Sequence, residues 1–160
     1  VWDLPIVFVC ENNKYGMGTA VHRASANPNL ADKAKAYNII AKQIDGNNII
    51  EVYKATQKAI EACRKGKGPQ FLEMMTYRYQ GHSIGDRTRY RPAGELDKWR
   101  DEKDPIANLQ KVLLEQHNAT EAELIAIDDA IMKEVEDAVT FANNSPLPAF
   151  ETLFDHIYPA

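Results

Sequence analysis

The run Pro5-Ile6-Val7-Phe8-Val9-Cys10 constrains the fold of this chain more than any other feature. It is continuous, β-branched and aromatic, and it stops abruptly at Glu11-Asn12-Asn13. A strand with one wet face alternates apolar and polar residues; an unbroken run suits a central parallel strand covered on both faces. Pro69 to Tyr77, with Phe71, Leu72, Met74 and Met75, reads as a second core strand. Helical periodicity fills the interval, and a helix between two strands is a βαβ pattern. The expected class is therefore α/β: a parallel sheet with flanking helices, followed by C-terminal helices.

Within that interval Asn47 or Asn48 can cap a helix with an apolar face of Ile49, Tyr53, Thr56, Ile60 and Cys63, ended by Gly66. The stretch before it carries two readings. Leu30, Ala34, Tyr37, Ala41 and Ile44 fall at helical spacing and argue one helix up to Asp45-Gly46. The other reading is a helix to about Tyr37 and then a short strand. From Tyr79 to Asp104 no period is visible, and connections of that length are functional or mobile. Asp104-Pro105 opens a helix, and Thr120-Glu121-Ala122-Glu123 is a capping box for another. The core face of that last helix would be Leu124, Ile127, Ile131, Val135 and Ala138. Asn143-Asn144-Ser145-Pro146 ends it, and an apolar tail runs from Phe150 to Tyr158.

The 160 residues, 44% hydrophobic and 26% charged, suffice for one domain with its own core. A net charge of −4 argues against a nucleic-acid partner, and no apolar run has bilayer-spanning length. Cys10 and Cys63 lie apart in apolar segments, as buried reduced thiols would. A strand that starts almost at Val1 suggests a chain that begins inside a longer one, so a targeting segment is not readable. Trp2 and Trp99 read as packing anchors, and His22, His117 and His156 as structural or surface residues. The alternating charges of Glu121 to Asp137 read as a solvated helix face.

Two segments carry chemistry. The first strand delivers Glu11-Asn12-Asn13-Lys14-Tyr15-Gly16-Met17-Gly18-Thr19 to its C-terminal end, the edge where parallel sheets bind ligands. Asparagine amide oxygens and loop carbonyls are hard neutral donors suited to Mg²⁺ or Ca²⁺, and glycines let backbone approach an anion. An ordinary strand-to-helix turn has the same composition. The second segment, Tyr77-Arg78-Tyr79-Gln80-Gly81-His82-Ser83, leaves the second core strand and opens a stretch with five arginines, Arg78, Arg87, Arg89, Arg91 and Arg100. Guanidinium forks suit phosphate oxygens and histidine can donate a proton. A solvated charged loop is the plain alternative.

Leu4 to Thr19 resembles the closing half of the thiamine-diphosphate motif of 2-oxo acid dehydrogenase E1 alpha subunits, and Tyr-Arg-Tyr-x-Gly-His-Ser is similar to the start of the active-site loop of the pyruvate dehydrogenase type. Asp45-Gly46-Asn47, Val52-Tyr53, Gly68-Pro69, Asp104-Pro105-Ile106 and His156-Ile157-Tyr158 follow the family in order and spacing. The resemblance implies a partial thiamine-diphosphate-binding fold over residues 1–78, an active-site loop over 79–103 and a C-terminal helical segment and tail over 104–160. It favours the short helix and a strand ending at Ile44, although Asn38, Ile40 and Ala41 stand where the family has glycine and proline. It implies that the Asn13 side chain and Tyr15 carbonyl ligate Mg²⁺, and that Gly16 lies against the cofactor. Arg78 would support the phosphates, and His82 would act at the diphosphate and substrate channel. Ser83 would be a regulatory phosphorylation site. The aspartate of the motif's opening half has no counterpart here, and Asp86 is followed by Arg87 where the family has proline.

The activity implied is oxidative decarboxylation of pyruvate with acyl transfer to a lipoyl group of an E2 partner, in a heterotetramer with an E1 beta subunit. An acetoin or branched-chain 2-oxo acid enzyme, or a noncatalytic assembly fragment, are the alternatives. The compartment implied is the bacterial cytoplasm or the mitochondrial matrix.

Overall fold

The computed structural model describes residues 1–157; Tyr158, named above in the tail, lies outside them. The chain divides into two compact units, Val1–Val112 and Leu113–Ala160. In the first, β1 (Val7–Asn12) is followed by a hairpin of β2 (Tyr15–Gly16) and β3 (Thr19–Ala20), then α1 (Val21–Ala24) and α2 (Leu30–Ala34). Next come β4 (Ile40–Asp45), α3 (Ile49–Arg64), β5 (Gln70–Met75) and α4 (Glu95–Lys103). The three longer strands form one parallel sheet in the order β1-β5-β4, with Cys10, Glu73 and Gln43 in register across it. The α/β class with a parallel sheet is as expected, but the central strand is β5. β1 is an edge, and Val9 is 52% exposed rather than covered on both faces.

The stretch after Leu30 takes the helix-then-strand course. α2 tightens into a 3-10 turn at Lys35–Tyr37, Asn38 turns the chain at φ 56, and β4 begins two residues later. Helical spacing alone misled here because it cannot register a single left-handed residue. Asparagine adopts that conformation more readily than most other non-glycine residues, and so breaks the helix there.

α3 is capped by Asn48, whose side-chain oxygen accepts from the Glu51 N–H at 3.1 Å. The chain leaves it through Gly66 at φ 70, with the Lys67 N–H donating back to the Ala62 carbonyl. Its buried side is Ala55, Ala59 and Cys63; Ala55 and Ala59 pack with Ile44 and Leu72, with Val52 and Met74 adding cover. Of the expected apolar face only Cys63 is buried. Ile49, Tyr53 and Ile60 are exposed, because alanines bring a helix closer to a sheet than large side chains allow. Gly46 makes the same close approach before α3. A Cβ there would lie 2.6 Å from Thr76 Cγ2.

α5 (Pro105–Gln116) begins under Asp104, whose carboxylate accepts from the N–H groups of Ile106 and Ala107. In the second unit α6 (Glu121–Asn144) carries the expected capping box at Thr120 and Glu123. Ile127, Ile131 and Val135, assigned to a core face, are exposed among the described residues. Lys133 and Asp137 pair at 2.9 Å on its solvated side. No helix of the described residues is long and apolar enough to cross a membrane.

Candidate functional site

The site forms where β1 and β5 end side by side. The Thr76 N–H donates to the Asn12 carbonyl at 3.0 Å and the Arg78 N–H to the Asn13 carbonyl at 3.1 Å, so the two segments singled out in the sequence run together. Beyond Asn12 the chain reverses through two side-chain-capped turns. The Asn12 Oδ1 accepts from the Lys14 N–H and the Asn13 Oδ1 from the Tyr15 N–H, each at 3.3 Å. Lys14 sits at φ 74, a conformation that costs a residue with a Cβ and persists only where neighbours impose it. A two-residue turn at Met17-Gly18 then closes the β2–β3 hairpin, where no strand was expected.

Hairpin register bears on the ligand chemistry. The Val21 N–H donates to the Lys14 carbonyl, which makes Tyr15 and Ala20 the non-hydrogen-bonded pair of the ladder. The Tyr15 carbonyl is consequently directed out of the ladder. The neighbouring Gly16 is open, with nothing within 4 Å of where a Cβ would stand. Arg78 holds a buried Nη1 with no acceptor among the described residues. An amide oxygen, an uncommitted carbonyl, an open glycine and an orphaned guanidinium donor fit a divalent ion and the anion it would bridge. Among the described residues no cluster of three His, Cys, Asp or Glu offers a metal site of another kind.

His82 is not brought against this loop. Its side chain is exposed and makes no hydrogen bond among the described residues, while its main-chain N–H donates to Asp86 Oδ2 at 2.9 Å. Asp86 also accepts from the Thr88 N–H and the Tyr90 hydroxyl, both at 2.8 Å. The N–H groups of His82 and Thr88 hold its carboxyl below the ordinary range. These bonds restrain the turn at Asp86-Arg87. Gly81 is required there, since a Cβ would lie 2.8 Å from the Asp86 carbonyl oxygen. Ser83 is exposed on the same turn.

Behind the loop lies an aromatic cluster that sequence reading left unassembled. Tyr15 and Tyr77 meet edge to face at 6.0 Å, Trp99 stacks on Tyr77 at 5.2 Å, and Arg91 lies over the rings of Tyr15, Tyr77 and Tyr90. Trp99 is thus a packing anchor, whereas Trp2 is exposed. The hydroxyls of Tyr15 and Tyr77 both donate to Glu95 Oε2, at 2.7 and 3.1 Å. Arg91 donates to the carbonyls of Tyr79 and Gln80. Burial, then the bond and charge of Glu95, push the Tyr15 phenol up to about 12. The helix α4 that supplies Glu95 and Trp99 lies in the stretch that showed no period, because its exposed side is charged throughout. Glu73 was also missed. A carboxylate inside the apolar run Phe71-Leu72-Glu73-Met74-Met75 was the available signal, since a charge there demands partners.

The family profile of the dehydrogenase E1 component matches residues 1–151. The chain is 42% identical over 157 residues to the pyruvate dehydrogenase E1 component subunit alpha of Zymomonas mobilis, covering 98% of this chain and 44% of that protein. Against the protein of the same name from Rhizobium meliloti the identity is 41%, covering 98% and 45%. Against the human testis-specific mitochondrial form it is 44%, covering 99% and 40%. The chain spans less than half the length of each of these relatives.

Proposed function

The chain belongs to the dehydrogenase E1 component family, and from that premise we propose that it forms the C-terminal part of the alpha subunit of a thiamine-diphosphate-dependent pyruvate dehydrogenase. The observation that carries the reading is the loop after β1, where one turn carries the Asn13 amide oxygen and the ladder-free Tyr15 carbonyl and Arg78 keeps a buried donor without an acceptor among the described residues. Those two oxygens would hold Mg²⁺, Gly16 would face the cofactor, and Arg78 would neutralise diphosphate charge.

The chemistry that thiamine diphosphate supplies when bound is a carbon nucleophile and an electron sink for decarboxylation of a 2-oxo acid. The residues of this chain bind and orient. The Lys14 turn fixes the spacing of the two metal-facing oxygens, and the Tyr15 ring, clamped to Glu95, keeps the main chain between them from rotating. His82 lies on the exposed turn of the long loop, and a movement of that loop would have to bring its imidazole N–H to a diphosphate oxygen or a substrate carboxylate for it to act there. A lipoyl group on an E2 partner would accept the acyl group, and an E1 beta subunit would complete the site in an α2β2 assembly. The compartment that goes with this reading is the bacterial cytoplasm or the mitochondrial matrix.

Ser83 is proposed as a regulatory phosphorylation site. A phosphate there adds about −1.5 to −2 charges next to the ionised Asp86, and repulsion would disorder the turn that holds His82.

Asn13→Ala in the complete alpha–beta enzyme tests the reading. Cofactor retention and Mg²⁺ dependence should collapse; an enzyme that keeps both unchanged refutes it. The isolated chain, which lacks a counterpart of the motif's aspartate, should bind thiamine diphosphate and Mg²⁺ weakly in a calorimetric titration.

A further inference from the structure

Glu73 is a fully buried carboxylate, 0% exposed, in the middle of the central strand β5. Its Oε1 accepts from Asn12 Nδ2 at 2.7 Å; its Oε2 accepts from the Ala31 N–H at 2.8 Å and from Gln43 Nε2 at 3.1 Å. All three donors are neutral, and no Lys, Arg or His makes a salt bridge to it among the described residues. Burial raises its carboxyl, but the bonds from Asn12, Ala31 and Gln43 outweigh burial and leave it below the ordinary carboxylate range. A buried anion held only by dipoles is costly, and its bonds reach beyond the short helix α2: they satisfy the Asn12 side chain as well as the Ala31 N–H, donors that burial would otherwise leave unpaired.

Its effect on Asn12 is specific. An anion admits only the donor end of the Asn12 amide, so the NH₂ group must face Glu73 and Oδ1 must face the other way. There Oδ1 accepts from the Lys14 N–H and holds Lys14 at φ 74, the turn that brings the Asn13 side chain and the Tyr15 carbonyl to the strand end. We propose that Glu73 is a positioning residue for the metal-holding loop: its buried charge fixes which way Asn12 points, and Asn12 in turn fixes the Lys14 turn. This rests on the reading of Asn13 and Tyr15 as metal ligands.

The test uses the complete alpha–beta enzyme stripped of cofactor, titrated with thiamine diphosphate at saturating Mg²⁺, with thermal unfolding measured in parallel. Glu73→Gln has nearly the same shape but offers one acceptor oxygen and one NH₂. The Ala31 N–H can only donate and so claims that oxygen; the NH₂ then faces Asn12 and either opposes the Asn12 NH₂ or turns Asn12 over and sets its NH₂ against the Lys14 N–H. The dissociation constant should rise about tenfold or more. Adding Asn12→Asp to Glu73→Gln inverts donor and acceptor between the two positions: the new amide donates to the new carboxylate, whose second oxygen accepts from Lys14. This double variant should recover most of the lost affinity. A residue that merely anchors α2 would show no such recovery, because the bonds to Ala31 and Gln43 are no better in the double variant.

If Glu73→Gln does not fold, Asn12→Ala leaves Glu73 with its other two donors and should weaken the cofactor to the same degree. Unchanged affinity in a folded Glu73→Gln or Asn12→Ala enzyme overturns the inference, and so does a double variant no better than Glu73→Gln. Asn13→Ala separates the two levels. If it too leaves affinity unchanged, the metal-loop reading has failed; if it abolishes binding while the Glu73 variants bind normally, only the positioning role has failed.

Discussion

Tyr15→Phe removes one of two phenols that share the Glu95 carboxylate, and its consequence can be worked from the geometry. The Tyr15 hydroxyl donates to Glu95 Oε2 at 2.7 Å, and the Tyr77 hydroxyl reaches the same oxygen at 3.1 Å. A hydrogen bond to an ionised acceptor contributes about 1.5–3 kcal/mol. Because Tyr77 remains to satisfy Glu95, the expected loss lies at the lower end, about 1.5 kcal/mol. The second part of the prediction concerns pH. Burial, followed by the bond to and charge of Glu95, raises the Tyr15 phenol from 10.0 to about 12. The unfolded chain therefore gives up this proton first as pH rises, so the contribution is complete below about pH 10 and is lost between about pH 10 and pH 12. The separation corresponds to a few kcal/mol at most. Urea unfolding of the chain, followed by circular dichroism at about pH 8 and about pH 11, reads both effects. Tyr15→Phe should have a lower midpoint at the first pH and a smaller fall between the two. A variant whose stability falls as steeply as that of the parent would show that ionisation of Tyr15 is not what the fold resists, and the clamp argument would be wrong.

Leu72→Ala empties the centre of the cluster formed with Ile44, Ala55 and Ala59, and should cost about 2–5 kcal/mol in chemical unfolding. Gly46→Ala forces a methyl against Thr76 and Met74, so thermal unfolding should reveal a loss of about 1–3 kcal/mol although nothing is removed. Thr120→Ala deletes the side-chain cap of α6 and should cost about 1 kcal/mol, seen as faster amide exchange in that helix's first turn.

What could be read in advance depended on how local the cause was. Asn48, Asp104 and the Thr120–Glu123 pair act within three residues of themselves, and each caps the helix it was expected to cap. The βαβ pattern was legible because β1 and β5 each carry an apolar run and α3 carries its own helical period, whereas the period over β4 argued a helix. Which face of α3 is buried was not, since that depends on how closely Ala55 and Ala59 let the helix approach the sheet. The site divided along the same line. Asn13, Tyr15 and Arg78 were singled out only through the family resemblance, and two main-chain bonds bring their segments together. Glu95, Arg91 and Glu73 act across distances in the chain that spacing does not encode, and a charged residue in a core strand was the one cue to any of them.

The outer side of β1 has a further consequence. Among the described residues no strand pairs with it there, so its outward-facing amides and carbonyls form a free template flanked by Phe8 and Val9. Polypeptide edges of this kind recruit whatever extended backbone is nearest. Handled by itself in solution, the chain should self-associate in proportion to its concentration, with new infrared absorption from intermolecular strands, and a covering segment or subunit that satisfies β1 should keep it dispersed.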